Sequence, residues 1–291
     1  MKILLVGANG QVGREIQDLC KKDHIAIAAF NREQLDITNA SDLENKLAPC
    51  ISKNTYLVNA AAYTAVDKAE DESELAFSVN RDAVANLAHF AKQHNIPLIH
   101  ISTDYVFAGD KEGVYVETDI PQPTGVYGAS KLAGEIVLQK TLPQHIILRV
   151  SWVFGQYGKN FVKTILRLAD EQEKLRIVAD QQGNPTGAAH IAAVIINIVK
   201  QLDTGSTAWG TYHYCDSPST SWFNFTQSIV KTAQHIKPLK VKEIQPISTS
   251  EFPTKAKRPM NSRLNCDKIK KVFGIDQAEW QDELDTVIKR V

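Results

Sequence analysis

What most limits the fold of this chain is its opening, where a short apolar strand runs into evenly spaced glycines and then a helical pattern. Lys2–Val6 is a β-branched and leucine run without polar alternation, as in a strand covered on both faces. Gly7-Ala8-Asn9-Gly10-Gln11-Val12-Gly13 follows, and Arg14 to Lys22 reads as helix. Glycines at 7, 10 and 13 allow a tight turn and let the backbone approach a pyrophosphate, whose charge meets the helix N-terminus. The spacing differs by one residue from the usual dinucleotide fingerprint, but its position between strand and helix predicts the same nest. Gln11 and Val12 belong to it with the three glycines.

Strand and helix patterns then alternate. Strands are expected at 25–30, 55–59, 97–101 and 145–150, with a long helix over 71–94. This order predicts an α/β fold with a Rossmann-type doubly wound parallel sheet. Beyond Trp152 the rhythm loosens into helical patterns at 161–173 and 188–202, a strand at 175–178, and apolar segments at 212–215 and 241–247. The expected division is a dinucleotide-binding domain of residues 1–150 plus about 174–210. A smaller C-terminal α/β substrate-binding lobe takes about 151–173 and 211–291.

Formal net charge is +0, with no long basic run, which argues against nucleic acid or an anionic membrane as main partner. Cys20, Cys50, Cys215 and Cys266 are scattered without metal-ligand spacing, so reduced thiols in the cytoplasm are expected. No stretch is long enough to span a bilayer.

The chemistry concentrates at the carboxyl ends of the predicted strands. Tyr127 and Lys131 lie four apart at the start of a helix, so they share one face and the ammonium can lower the phenol's pKa. The 97–101 strand ends in Ser102-Thr103-Asp104-Tyr105, hydroxyls and a carboxylate beside the cleft. The 55–59 strand runs into Ala60-Ala61-Ala62-Tyr63-Thr64, where small side chains leave room for a ligand; Asn80 falls within the long helix. After the second strand, Arg32 suits a 2'-phosphate and favours NADPH, while adjacent Glu33 keeps NADH open. Asp36 and Ile37 are placed either to contact adenine or, for the aspartate, to form a turn. Ser41 and Glu44 have capping-box spacing.

Together, Gly7/Gly10/Gly13, Thr103 and Tyr127 with Lys131 resemble the extended short-chain dehydrogenase/reductase superfamily. Further segments bring the resemblance closer to the dTDP-4-dehydrorhamnose reductase family: Asn59–Ala62, Ala65–Glu70, Ser102–Phe107, Val126–Gly128, Ser151–Val153, Pro185–Gly187, Arg258-Pro259 and Asn261–Leu264. They span nearly the whole chain. The resemblance implies hydride transfer from a nicotinamide to the C4 ketone of a nucleotide-linked 6-deoxy-4-ketohexose. Tyr127 is then the proton donor, Thr103 a hydrogen-bond donor to the developing oxyanion, and Lys131 a partner of the nicotinamide ribose. It also implies substrate contacts from Asp104, Tyr105, Trp152, Arg258, Asn261 and Arg263, the arginines meeting phosphate.

Relatives with other activities keep alternatives open. Dehydratases of the superfamily carry Thr-Asp-Glu where this chain has Thr103-Asp104-Tyr105, so the glutamate that removes a C5 proton is missing. Epimerases share the fold, and a non-catalytic role like that of the regulatory subunit of methionine adenosyltransferase is a further reading. Some family members form a dimer bridged by Mg²⁺ through three carboxylates. Glu15 matches one, but Ala189 stands where a second is expected and Ile288-Lys289-Arg290-Val291 supplies no third. No structural metal is therefore expected, Glu15 reads as a first-turn residue favoured by the helix dipole, and the protein is expected as a monomer or weak homodimer.

Overall fold

A computed structural model describes all residues, Met1–Val291. Five strands, β1 (Lys2–Val6), β2 (Ala26–Phe30), β3 (Thr55–Asn59), β4 (Leu98–Thr103) and β5 (His145–Val150), are joined by Gly210–His213 into one six-stranded sheet. Every pair is parallel, in the order Gly210–His213, β5, β4, β3, β1, β2. The order reverses between β1 and β3, and the carboxyl ends of the strands beside that point form the crevice where such sheets bind ligands.

The unalternated apolar strands have their counterpart in a core on each face. Ile3 and Leu5 pack with Ile16, Ile99, Ile146 and Leu148 beneath α1 (Gln11–Lys22), with helices further along the chain completing that layer. Leu4 and Val6 point the other way, against Leu43 and Leu47 of α2 (Ala40–Leu47), and Val84 and Leu87 further on. Burying such a side chain stabilises by roughly 1.5–3 kcal/mol, so the two layers fix the orientation of every strand end.

Two short helices, α3 (Val66–Ala69) and α4 (Ser73–Phe77), follow β3, and the expected continuous helix is interrupted. A π-helical turn, Ser78–Asp82, separates α4 from α5 (Ala83–Gln93). The bulge reorients Asn80, as π-turns at functional sites often do. The capping box at Ser41 and Glu44 does not form either. Asn39 caps α2 instead, its side chain accepting from the Ser41 amide, while Glu44 faces His94 at 2.9 Å.

After α6 (Val126–Thr141) and β5 comes α7 (Phe161–Glu171), then α8 (Ala188–Asp203), which packs beside α1. The chain ends with α9 (Trp222–Gln234), α10 (Asp267–Phe273) and α11 (Trp280–Ile288). A third core of Phe154, Val162, Ile165, Phe225, Ile229, Trp280 and Leu284 unites α7, α9 and α11. The strand pairing corrects the expected division of the chain. Lys174–Val178 leaves the main sheet and pairs in parallel with Glu243–Ile247, beside the third core, whereas Gly210–His213 completes the main sheet on β5. Both segments are short, so their patterns alone could not say which sheet each joins.

Candidate active site

The cradle at the amino terminus fits a dinucleotide on steric grounds. Gly7 has φ +84°, and a Cβ there would lie 2.5 Å from the Ala60 carbonyl carbon; a Cβ at Gly13 would lie 2.2 Å from the Gly7 oxygen. The turn therefore brings β1, the Ala60 loop and the start of α1 closer than any side chain permits. No side chain caps α1 at Gly10, which leaves the amides of Gln11, Val12 and Gly13 to meet an anion. Arg32 lies exposed beyond β2 and makes no ion pair among those in the protein. Asp36 behaves as a turn residue: its Oδ1 accepts from the Thr38 amide at 2.9 Å and the Thr38 hydroxyl at 2.7 Å. Ile37 is half-buried against the α2 face of the core.

Asn80 holds the loop above β3. Its Oδ1 accepts from the Tyr63 amide at 2.9 Å and its Nδ2 donates to the Tyr63 carbonyl and to the Ser130 hydroxyl, each at 3.0 Å. Gly134 permits this approach, since a Cβ there would sit 2.1 Å from the Asn80 oxygen. Fully buried, Asn80 thus shapes the Ala60–Thr64 loop and ties it to α6, in place of the direct contact its position suggested.

Tyr127 and Lys131 share the inward face of α6 as their spacing requires, but the electrostatics differ from expectation. Burial pushes the Tyr127 phenol well above its ordinary value, with Thr103 acting against the rise and the Asp104 charge adding to it. Lys131 does not lower it. Burial pushes the ammonium itself down to about 8, and Nζ donates to the Ile101 carbonyl of β4 at 2.7 Å. The resting helix face therefore carries a protonated phenol and a lysine whose pKa is brought down to about 8.

Thr103, the last residue of β4, donates to Asp104 Oδ1 at 2.9 Å. Asp104 is buried, and that burial raises its carboxyl to about 6. Its Oδ2 has no hydrogen-bond partner in the protein. Tyr105 packs edge-on against Tyr127, ring centroids 5.5 Å apart. Trp152, just past β5, has φ +42° and stacks flat on Trp222, centroids 3.4 Å apart and planes 8° from parallel. Trp222 had no part in the sequence reading; an aromatic opening a helix after a serine cap looks like ordinary core.

The three C-terminal candidates separate. Arg258 Nη2 donates to Asp67 Oδ2 at 2.8 Å, and its Nε is buried without a partner. Asn261 is wholly engaged: Nδ2 donates to the carbonyls of Lys111 and Gly113 at 2.7 Å each, and Oδ1 accepts from the Arg263 amide and Arg263 Nε. The expected substrate contact at Asn261 gives way to a structural one that orients Arg263. Two acids absent from the candidate residues also matter. Asp67 holds Arg258, and Glu70 Oε1 accepts from the Val126 amide at 2.9 Å, capping the helix that carries Tyr127. Their three-residue spacing in Ala65–Glu70 was the available signal.

Glu15 lies in the second turn of α1, buried, accepting from Gln156 Nε2 at 3.1 Å; the dipole-favoured first-turn position does not apply. No three His, Cys, Asp or Glu side chains gather to hold a metal ion.

The family profile described as RmlD substrate binding domain matches residues 1–291. The chain is similar to the dTDP-4-dehydrorhamnose reductase of Aggregatibacter actinomycetemcomitans, 44% identical over 98% of each chain. It belongs to the dTDP-4-dehydrorhamnose reductase family. A family member from Sinorhizobium fredii is 41% identical over 97% of this chain and 95% of its own. The solved dTDP-4-dehydrorhamnose reductase of Bacillus anthracis, in complex with NADP, superposes with a TM-score of 0.91 at 34% identity, covering 100% of this chain and 99% of the other. Within the family fold, the sheet ends of β1, β3, β4 and β5 bring Gly7, Ala60, Thr103 and Trp152 to one crevice.

Proposed function

We propose that this protein is an NADPH-dependent oxidoreductase that reduces the C4 ketone of dTDP-4-dehydro-6-deoxy-L-mannose, giving dTDP-L-rhamnose for cell-surface polysaccharide. The observation that carries the reading is the meeting of a protonated, half-buried Tyr127 with Thr103 at the end of β4, in a chain that matches dTDP-4-dehydrorhamnose reductases along its length. NADPH, when bound, supplies the hydride. Gly7, Gly10 and Gly13 with the free amides of α1 hold its pyrophosphate, Arg32 its 2'-phosphate, and Lys131 its nicotinamide ribose.

As negative charge develops on the C4 oxygen, the Tyr127 phenol transfers its proton there. A phenol whose pKa is held high keeps that proton until an alkoxide, a stronger base, is present. The Thr103 hydroxyl turns from Asp104 to the same oxygen as a second donor. Asp104 Oδ2 accepts from a sugar hydroxyl, Trp152 lies against the apolar face of the hexose, and Arg258 and Arg263 meet the diphosphate. Asp67 and Glu70 orient Arg258 and α6 respectively. The main sheet with its flanking helices forms the cofactor side and the α7–α9–α11 unit the substrate side, working as a monomer or weak homodimer in the cytoplasm. No helix is long and apolar enough to cross a membrane.

The test is incubation of the pure protein with dTDP-4-keto-6-deoxy-L-hexose and NADPH, the product identified by NMR. Stoichiometric NADPH oxidation with formation of the C4 alcohol is expected. An epimerised or dehydrated product without net oxidation, or no turnover at all, would overturn the reading.

A further inference from the structure

Trp152 stands at a corner of the chain that a tryptophan does not favour. Val150 ends β5 opposite Thr103 of β4, and just past Trp152 the pair Val153-Phe154 joins Thr186-Gly187 in a separate ladder. Both sides of the corner are pinned. The Ser151 hydroxyl donates to the Asn184 carbonyl at 2.8 Å, and the Trp152 carbonyl accepts from the Thr186 amide at 3.1 Å. The change of sheet falls on Trp152 itself, whose φ is +42°. Glycine adopts that left-handed conformation freely, whereas a bulky residue there persists only where its surroundings hold it.

Two features hold the indole. Trp222 lies flat on it, centroids 3.4 Å apart, and a Cβ on Gly183 would lie 2.6 Å from both its Cζ2 and its Nε1, so only glycine lets the chain run this close. One ribbon supplies both. Gln182-Gly183 pairs antiparallel with Thr220-Ser221, and the residue after Ser221 is Trp222, which opens α9. The Ser221 hydroxyl accepts from the Asn224 amide at 3.1 Å, which fixes the entry to that helix. Trp222 is rooted in the third core through Phe161, ring centroids 4.5 Å apart. On its other edge the ribbon meets Met260–Ser262: the Gln182 amide donates to the Met260 carbonyl at 2.8 Å, and the Gln182 carbonyl accepts from the Ser262 amide at 2.7 Å. That segment leads directly to Arg263.

We propose that Trp222 and Gly183 are positioning residues that fix the plane of the Trp152 indole for the hexose of the substrate. The inference rests on the sugar contact given to Trp152 above. Trp222 is half-buried with one face covered by Trp152, so it acts through that ring. An indole free to turn would offer the sugar an edge as readily as a face and would lose rotamer freedom on binding. One already stacked presents its face with that ordering done in advance. Because Arg258 and Arg263 meet the diphosphate, the effect of the clamp is confined to the sugar.

Calorimetric titration of the NADP⁺-saturated protein with dTDP and with dTDP-L-rhamnose separates sugar from nucleotide. Trp222→Ala and Gly183→Ala are each expected to raise the Kd for dTDP-L-rhamnose about fivefold, the size of one aromatic pair, and to leave the Kd for dTDP unchanged. Trp222→Phe, which keeps a stacked ring, should recover most of the loss, and KM for the keto sugar should rise more than kcat falls. In a Trp152→Ala background neither substitution should have a further effect. Equal losses for dTDP and dTDP-L-rhamnose overturn the proposal, as does an effect that persists without Trp152. If Trp222→Ala does not fold, Gly183→Ala decides alone, and wild-type affinity in that variant overturns the clamp. A wild-type protein that binds dTDP but neither binds dTDP-L-rhamnose nor reduces the keto sugar overturns the proposed function instead.

Discussion

Thr103 Oγ1 donates to Asp104 Oδ1 at 2.9 Å, and this bond leaves the other carboxylate oxygen buried and unpaired at the edge of the site. The arrangement costs stability in a way that pH should expose. Because burial raises the Asp104 carboxyl from 3.8 to about 6, the native state holds this proton more tightly than the unfolded chain. The stability contributed is present below pH 4 and lost as the pH rises through about 6. Asp104→Asn is therefore expected to match the wild type in acid and to exceed it by roughly 1–3 kcal/mol above pH 7. Its KM for the sugar nucleotide should rise. Urea titrations across pH 4–8 check the first part, and a stability difference independent of pH would refute it.

Tyr127→Phe removes the proton donor while leaving the packing against Tyr105. Loss of a general acid lowers turnover by about 10²–10⁴-fold, and NADPH binding should change little. Lys131→Ala should weaken both turnover and cofactor binding. Steady-state kinetics with fluorescence titration of NADPH separate the two; a Tyr127→Phe enzyme with most of the wild-type rate would remove Tyr127 from its role.

Much of this site was legible because its signals are local. Strand, glycine triplet and helix are contiguous, so the cradle could be read from thirteen residues, and the i, i+4 rule placed Tyr127 and Lys131 on one face. What was hidden depends on tertiary pairing. Whether 174–178 or 210–213 joins the main sheet depends on which partner each meets, and both are too short for their own pattern to decide. The elevated pKa of Tyr127 follows from burial and from the direction in which Lys131 Nζ points, neither of which spacing reveals. Asn261 and Arg258 look alike as polar residues in one motif, yet only the fold shows the first saturated by backbone and the second holding a free buried Nε.

Cofactor choice should turn on Arg32. It is exposed and makes no ion pair in the protein, so a 2'-phosphate would meet a cation with no competitor. Arg32→Ala is expected to raise KM for NADPH about tenfold while leaving NADH almost unchanged, since an exposed charge-assisted hydrogen bond contributes on the order of 1.5 kcal/mol. Equal effects on the two cofactors would place the phosphate elsewhere.

Glu70 is a cap supplied by another segment of the chain, its carboxylate accepting from the Val126 amide fifty-six residues on. Removal of a helix cap costs roughly 0.5–2 kcal/mol. Glu70→Ala should lower stability by about that amount, and loosening the first turn of α6 should reduce kcat more than it raises KM. Glu70→Gln, which retains an acceptor, should recover most of both. Thermal melts and kinetics on the pair decide it; equal losses in both variants would mean that the charge matters and the cap does not.

The final expectation concerns metal and assembly. Glu15 is buried in the second turn of α1, where desolvation raises its carboxyl and Gln156 donates to it, and its charge adds to the rise that burial gives the Glu283 carboxyl of α11. Binding Mg²⁺ would demand that these acids ionise and that further oxygen ligands join them, but Ala189 offers none. Arg290 favours the ionised form of both acids, so a cation already serves the place a divalent ion would take. Activity is therefore expected to be insensitive to EDTA, and the mass in solution to be the same with Mg²⁺ as with chelator. Size-exclusion chromatography with light scattering measures this directly. A dimer present with Mg²⁺ that dissociates only on chelation would show that the carboxylates bridge two copies after all.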